Sequence, residues 1–178
     1  MAHKTGPAFA VWITGLPASG KSTLARAVAA QLAARGVDVA VLESDALRRL
    51  LSDHPRYDET ERDAFYRLMA YIGALLTRHG VPVIFDATAN RRAYRECARQ
   101  KIAGFFEVYV ECPLETCIAR DPKGIYRQAL AGEANSVPGL QALYEPPGSP
   151  DVVVQGDRDA PDLAAERVIA MLKQKGYV

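Results

Sequence analysis

Gly15-Leu16-Pro17-Ala18-Ser19-Gly20-Lys21-Ser22-Thr23 is the stretch on which the reading of this chain turns. It has the form G-x-x-x-x-G-K-S, a phosphate-binding loop (P-loop), in which glycines let the backbone curl so that successive N–H groups point at phosphate oxygens. Lys21 adds a point charge for the β- and γ-phosphates, and the Ser22 hydroxyl stands where it can ligate Mg²⁺. The flanks agree with the motif. Ala8 to Thr14 is a continuous apolar run suited to a buried strand, and Leu24, Val28, Ala29 and Leu32 recur at helical spacing after the loop. Strand, glycine loop and helix in that order predict a nucleoside-triphosphate site, with Gly15, Leu16, Pro17, Ala18, Ser19, Gly20, Lys21, Ser22 and Thr23 around the phosphates.

Working outward, the apolar runs Val37–Leu42, Val81–Phe85, Phe105–Val110 and Val152–Val154 read as four more strands. Between them lie helical patterns: Asp45 to Leu51 with Asp45 as its cap, Thr60 to His79, Arg91 to Ile102, Leu114 to Arg120 with Pro113 in its first turn, Ile125 to Ala131, and a closing helix over Leu163 to Lys175. This alternation predicts an α/β fold in one domain over residues 1–178. It is a P-loop nucleoside-triphosphate kinase-like three-layer sandwich, with a five-stranded parallel sheet and helices on both faces. Ligands of such sheets bind beyond the carboxyl ends of the strands, which brings Gly15, Asp45, Asp86 and Cys112-Pro113 to one edge.

Composition narrows the class. A length of 178 residues suits one domain, and a net charge of +1 gives no pull towards nucleic acid or membrane. Met1 to Pro7 has no apolar signal core, and no apolar run is long enough to span a bilayer, so a cytoplasmic protein is expected. Cys97, Cys112 and Cys117 leave an odd thiol and no Cys-x-x-Cys pair; they read as reduced, buried thiols. His54 and His79 have no metal-ligand spacing and read as surface residues.

Phosphoryl transfer rests on positioning, Mg²⁺, cationic clamps and a carboxylate that accepts the acceptor's proton. Asp45, just beyond the second strand, is the candidate base. Glu43, two residues earlier on an extended backbone, would point the same way and hold the metal's water shell; Asp86, closing Val83-Ile84-Phe85-Asp86, is the other candidate for Mg²⁺. Arg48, Arg62 and Arg67 flank the expected acceptor cleft and suit bidentate anion binding. Arg91, Arg95 and Arg99 fall at i, i+4 and i+8, the spacing of a solvated stripe. From residue 121 to 148 prolines and glycines interrupt regular structure, which predicts a lid that is mobile when empty; Arg120, Lys123 and Arg127 are placed to close over phosphates. A GTPase switch would need N-K-x-D, which this sequence lacks, and a nucleic-acid 5′-kinase would want a basic track.

Trp12-Ile13-Thr14-Gly15-Leu16, Cys112-Pro113-Leu114-Glu115-Thr116-Cys117, Arg120-Asp121-Pro122-Lys123-Gly124-Ile125-Tyr126, Ala129-Leu130-Ala131-Gly132-Glu133 and Tyr144-Glu145-Pro146-Pro147 together resemble the adenylylsulfate kinase (APS kinase) family over most of the chain. The resemblance implies transfer of the γ-phosphate of MgATP to the ribose 3′-hydroxyl of adenosine 5′-phosphosulfate, giving PAPS. It implies ATP and a small nucleotide acceptor as partners, and a homodimer. Asp45 matches the second aspartate of the family's D-G-D-N-x-R, the base, and Arg48 its arginine. Arg62 and Arg67 match acceptor-binding arginines, Lys123 a lid lysine, and Arg120 joins the ATP-binding set. The sequence departs from the pattern at Glu43 for the first aspartate and Ser44 for the glycine. Tyr57 replaces a stacking phenylalanine, Phe65 an asparagine, and Val137 the lid's second stacking phenylalanine. Phe85-Asp86-Ala87-Thr88 stands where the family has S-P-Y-R. Its D-x-T resembles other small P-loop kinases, polynucleotide 5′-kinases included, so a different nucleotide-like or polynucleotide 5′-hydroxyl acceptor is the alternative.

Overall fold

Alternate residues of strand β1 (Ala10–Thr14) point to opposite sides of a sheet, and both sides are buried. The computed structural model describes residues 7–178; the reading of Met1 to Gly6 as lacking a signal core lies outside the described residues. Helix α1 (Lys21–Ala33) follows β1, then β2 (Ala40–Glu43), α2 (Ser44–Leu51), α3 (Glu59–Arg78), β3 (Val83–Asp86) and α4 (Arg92–Arg99). The chain continues through β4 (Phe105–Glu111), α5 (Leu114–Arg120), α6 (Ile125–Leu130), β5 (Val152–Gln155) and α7 (Pro161–Gln174). The five strands lie in the order β2-β3-β1-β4-β5, all parallel.

Val11 and Ile13 face one way and pack with Leu24, Val28 and Leu32 of α1 and Val168, Ile169 and Leu172 of α7. Ala10 and Trp12 face the other way, onto Met69 and Ala70 of α3 and Ala98 of α4. The expected three-layer sandwich is therefore what forms. The Trp12 ring stacks on Phe85 with centroids 4.4 Å apart, and its indole N–H donates to the Ala87 carbonyl at 3.1 Å. Gly73 of α3 lies against that pair; a Cβ there would come within 2.1 Å of Phe85 Cζ. Among the described residues, no helix is long and apolar enough to cross a membrane.

Several local expectations are corrected. Strand β2 starts at Ala40 rather than Val37, because the Val37 N–H turns back to the Leu32 carbonyl at 3.0 Å and closes α1. Asp45 does not cap α2: Glu43 holds that place without a side-chain bond, and Asp45 sits inside the first turn. Pro113 is likewise the cap of α5 rather than its first helical residue. The arginine stripe Arg91, Arg95, Arg99 is solvated only at its ends, where Arg91 and Arg99 are 42 % and 37 % exposed. Arg95 is 2 % exposed, and its Nε donates to Glu107 Oε1 at 2.5 Å. Arg99 reaches the other Glu107 oxygen at 3.0 Å, while Arg91 pairs with Glu59.

Candidate active site

The phosphate loop leaves β1 through Gly15, whose φ is 155° and whose position has no room for a side chain: a Cβ would lie 2.5 Å from the Val110 carbonyl oxygen. Lys21 opens α1 and is 8 % exposed, with Nζ donating to the Leu16 carbonyl at 2.7 Å. Burial pulls its pKa below the usual lysine value, opposed by the charges of Asp86 and then Asp45. Both carboxylates thus act on the same ammonium. Ser22, the next residue, is half-buried in the first turn of α1. The lid motif supports this loop from outside. Tyr126, fully buried in α6, donates its hydroxyl proton to the Pro17 carbonyl at 3.1 Å.

Beside the loop lies a cleft of about 350 Å³ lined by Ser19, Gly20, Thr23, Arg120, Gly156 and Asp157, among others, a size that suits a small ligand. Arg120 is held at its rim by a 2.9 Å bond from Nη1 to the Gly156 carbonyl, so the expected donor-site arginine is beside the phosphate loop. Ser19 Oγ and Asp157 Oδ1, on residues bordering this cleft, are buried without a hydrogen-bond partner among the described residues. The segment from Gly156 to Ala160 went unread in the sequence. The strand-end rule that found Asp45 and Asp86 extends to it, because it leaves the carboxyl end of β5.

On the other side of Lys21, Asp45 projects from the first turn of α2, and Lys123 Nζ of the lid meets its Oδ2 at 2.5 Å. Glu43 and Asp86 are register partners at the ends of β2 and β3. Glu43 is exposed, and Asp86 is 6 % exposed. The expected alignment of Glu43 with Asp45 does not arise, because the extended backbone ends at Glu43 and Asp45 is already helical. Arg48, 5 % exposed, lies 3.0 Å from Glu61 Oε1, and its guanidinium carbon stands 3.8 Å from the centre of the Phe65 ring. Tyr57 borders the same guanidinium at 5.0 Å from a strained position, φ 57°. Its N–H donates to Glu61 Oε2 at 3.1 Å.

Arg62 is buried and bonded all round: Nε to the Tyr57 carbonyl at 2.8 Å, Nη1 to Asn90 Oδ1 at 2.8 Å, and Nη2 to the Ser136 carbonyl at 2.6 Å. It joins α3, the end of β3 and the lid. Arg67 is not brought to this group. It is exposed and lies five residues after Arg62, about 140° around the helix. Val137 also departs from expectation. It is 6 % exposed and packs with Cys117, Tyr126 and Ala129 inside the lid rather than standing open to a base.

Sequence reasoning missed Glu61 and Asn90 and gave Tyr144, quoted there within a motif, no role of its own. Asn90 Nδ2 donates to the Leu143 carbonyl at 2.9 Å, and the Tyr144 hydroxyl lies 3.1 Å from Thr14 Oγ1, so both fasten the second half of the lid to strand ends. Glu61 carried a readable signal. With Asp58 as cap, accepting the Glu61 N–H at 2.8 Å, the two form the S/T/D-x-x-E pattern that starts a helix.

Ser22, Asp86 and Glu43 offer hydroxyl and carboxylate oxygens, the donor type that Mg²⁺ takes while keeping water and phosphate ligands. A lysine, an arginine-rimmed cleft and strand-end carboxylates around one phosphate loop suit transfer of a phosphoryl group between two bound molecules. Residues 7–155 match the family model described as adenylylsulphate kinase. A probable adenylyl-sulfate kinase of Pyrococcus abyssi is 39 % identical over 96 % of this chain and 98 % of its own length. The adenylyl-sulfate kinase of Synechococcus sp. (strain JA-3-3Ab) is 40 % identical over 94 % of this chain and 96 % of its own. The structure of the Mycobacterium tuberculosis APS kinase in complex with AMPPNP and APS superposes with a TM-score of 0.87 at 35 % identity, covering 94 % and 99 % of the two chains.

Proposed function

The chain belongs to the adenylylsulfate kinase family, and on that footing we propose that it transfers the γ-phosphate of MgATP to the 3′-hydroxyl of adenosine 5′-phosphosulfate, forming PAPS. The observation that carries the reading is the meeting of Lys123 with Asp45 beside Lys21. It joins the family-specific lid motif to the carboxylate and the phosphate loop.

In this reading the backbone N–H groups of Gly15 to Thr23 and the Lys21 ammonium hold the donor phosphates, and the base and ribose lie in the Arg120 cleft. Ser22, with Glu43 or Asp86 through water, would hold Mg²⁺, which would supply positive charge against the charge developing on the phosphates. Asp86 is the better placed of the two carboxylates, being buried and the carboxylate whose charge acts most strongly on Lys21. Asp45 accepts the proton of the 3′-hydroxyl as its oxygen bonds to the γ-phosphorus and the bond to the ADP oxygen breaks. The Lys123 ammonium, in contact with Asp45, lies where charge spreads over the transferring group. Arg48 and Tyr57 meet the acceptor, while Arg62 fixes the lid against α3.

The test is direct: MgATP with adenosine 5′-phosphosulfate, and in parallel with other nucleotides bearing a free ribose hydroxyl and with a polynucleotide 5′-hydroxyl end. PAPS formation at the highest kcat/KM is expected. Efficient phosphorylation of another acceptor with no PAPS would overturn the assignment.

A further inference from the structure

We propose that Phe65 is a positioning residue for acceptor binding: its ring holds the Arg48 guanidinium as a fixed fork for the acceptor's anionic group, and it does not itself stack on the acceptor's base. The proposal rests on the reading above, in which Arg48 meets the acceptor.

Arg48 follows Asp45 by three residues on α2, so the two share a helix face. Its guanidinium carries five N–H donors. Among the described residues one of them is bonded, Nη1 to Glu61 Oε1 at 3.0 Å. Glu61 cannot follow a moving arginine, because its other oxygen accepts the backbone N–H groups of Arg56 at 2.5 Å and Tyr57 at 3.1 Å. The guanidinium lies over the Phe65 ring, with its central carbon 3.8 Å from the ring centre against 5.0 Å for Tyr57 and 5.5 Å for Tyr66. That is van der Waals contact, so this face of the ring is filled and a nucleotide base cannot use it.

Nor can Phe65 turn aside. It is 5 % exposed and packs edge-on against Tyr66, with centroids 5.2 Å apart and planes at 74°. The Glu61 carboxylate and the Phe65 ring, nearer than Tyr57 at 5.0 Å, therefore hold Arg48 in place, and its other donors remain for a bidentate bond to a phosphate or sulfate oxygen pair. A pre-set fork binds more tightly than a free arginine, because less rotamer freedom is lost on binding. Leucine at position 65 would fill much of the space but present no π-face to the cation.

The experiment compares Phe65→Leu and Phe65→Tyr with the wild-type protein. Phe65→Leu is expected to raise the KM for adenosine 5′-phosphosulfate by about 3- to 30-fold, the span of a partly desolvated cation–π contact, leaving kcat and the KM for MgATP in place. Phe65→Tyr, which keeps the ring, is expected to restore the acceptor KM. In parallel, the Arg48 Hε resonance should be shifted upfield by the ring in the wild-type and tyrosine proteins and not in the leucine variant. An unchanged acceptor KM in Phe65→Leu, or no ring-dependent shift of Hε, overturns the proposal. If the wild-type protein forms no PAPS, the function reading falls separately. Titration with AMP, read at the Arg48 resonances, then decides: weaker binding in Phe65→Leu alone upholds the proposal, and equal curves in all three proteins overturn it.

Discussion

Lys123 Nζ and Asp45 Oδ2 are 2.5 Å apart although 78 residues separate them in sequence, so the lid and α2 are joined at the carboxylate proposed to accept the proton. Both side chains are well exposed, at 58 % and 46 %. A pair so open to water contributes about 0–1 kcal/mol to stability. Asp45→Asn is therefore expected to lower kcat by about 10²-fold or more while the melting temperature hardly moves. Steady-state rates and thermal melts on the same samples check this. A large loss of stability with kcat intact would make the pair a strut.

Lys21 gives a pH-dependent prediction. Burial lowers its pKa from 10.5, so between the lowered value and 10.5 the unfolded chain binds the proton that the folded chain has released. Stability contributed by this group then rises with pH across that window, and the cost of burying the ammonium is fully present below it. A triphosphate beside the ammonium draws the proton back. Titration calorimetry of MgATP at alkaline pH, in two buffers of different ionisation enthalpy, should show proton uptake on binding; equal heats in both buffers would contradict it. Lys21→Ala is expected to abolish transfer, because the γ-phosphate loses its principal side-chain cation.

Much of this arrangement was legible because it depends on local pattern. Apolar runs marked all five strands, and the strand-end rule brought Asp45, Asp86 and Gly15 to one edge. What could not be read depends on partners far away in sequence. The i, i+4 spacing of Arg91, Arg95 and Arg99 is the same for a wet face and a buried one; Glu107, on β4, and the Ala89 and Glu145 carbonyls decide that Arg95 is inside. Arg62 presents the same letter whether it faces an anion or Asn90 and the Ser136 carbonyl. Val137 looked like a truncated stacking residue because its contacts with Tyr126 and Cys117 arise only once the lid has folded.

Arg95→Ala should be among the costliest changes to stability in the chain. It leaves Glu107 buried at 7 % exposure with only Arg99 to face it, and removes donors to the Ala89 and Glu145 carbonyls. Breaking a buried pair in this way costs about 3–5 kcal/mol. Urea unfolding would register it as a lower midpoint at constant slope. A change within error of wild type would mean that water replaces the arginine.

Val137→Phe separates the sequence reading from the structure. As a restored stacking residue it would tighten acceptor binding. Inside the lid, where Val137 is 6 % exposed against Tyr126 and Cys117, the larger ring overpacks and costs about 1–3 kcal/mol. The expected result is a lower melting temperature with no gain in acceptor affinity. A tighter acceptor KM at unchanged stability would show that the residue turns outward.

The strand order β2-β3-β1-β4-β5 divides the two substrates' grips mechanically. The phosphate loop hangs from β1, which is laddered to β3 on one side and β4 on the other. Asp45 and Arg48 hang from β2, a four-residue edge strand laddered on one side only. Bending β1 would break two ladders, whereas bending β2 strains one. On the proposed assignment the donor is held from a strand laddered on both sides and the acceptor from one laddered on one side, so fit to the second substrate can be adjusted without detuning the phosphate cradle.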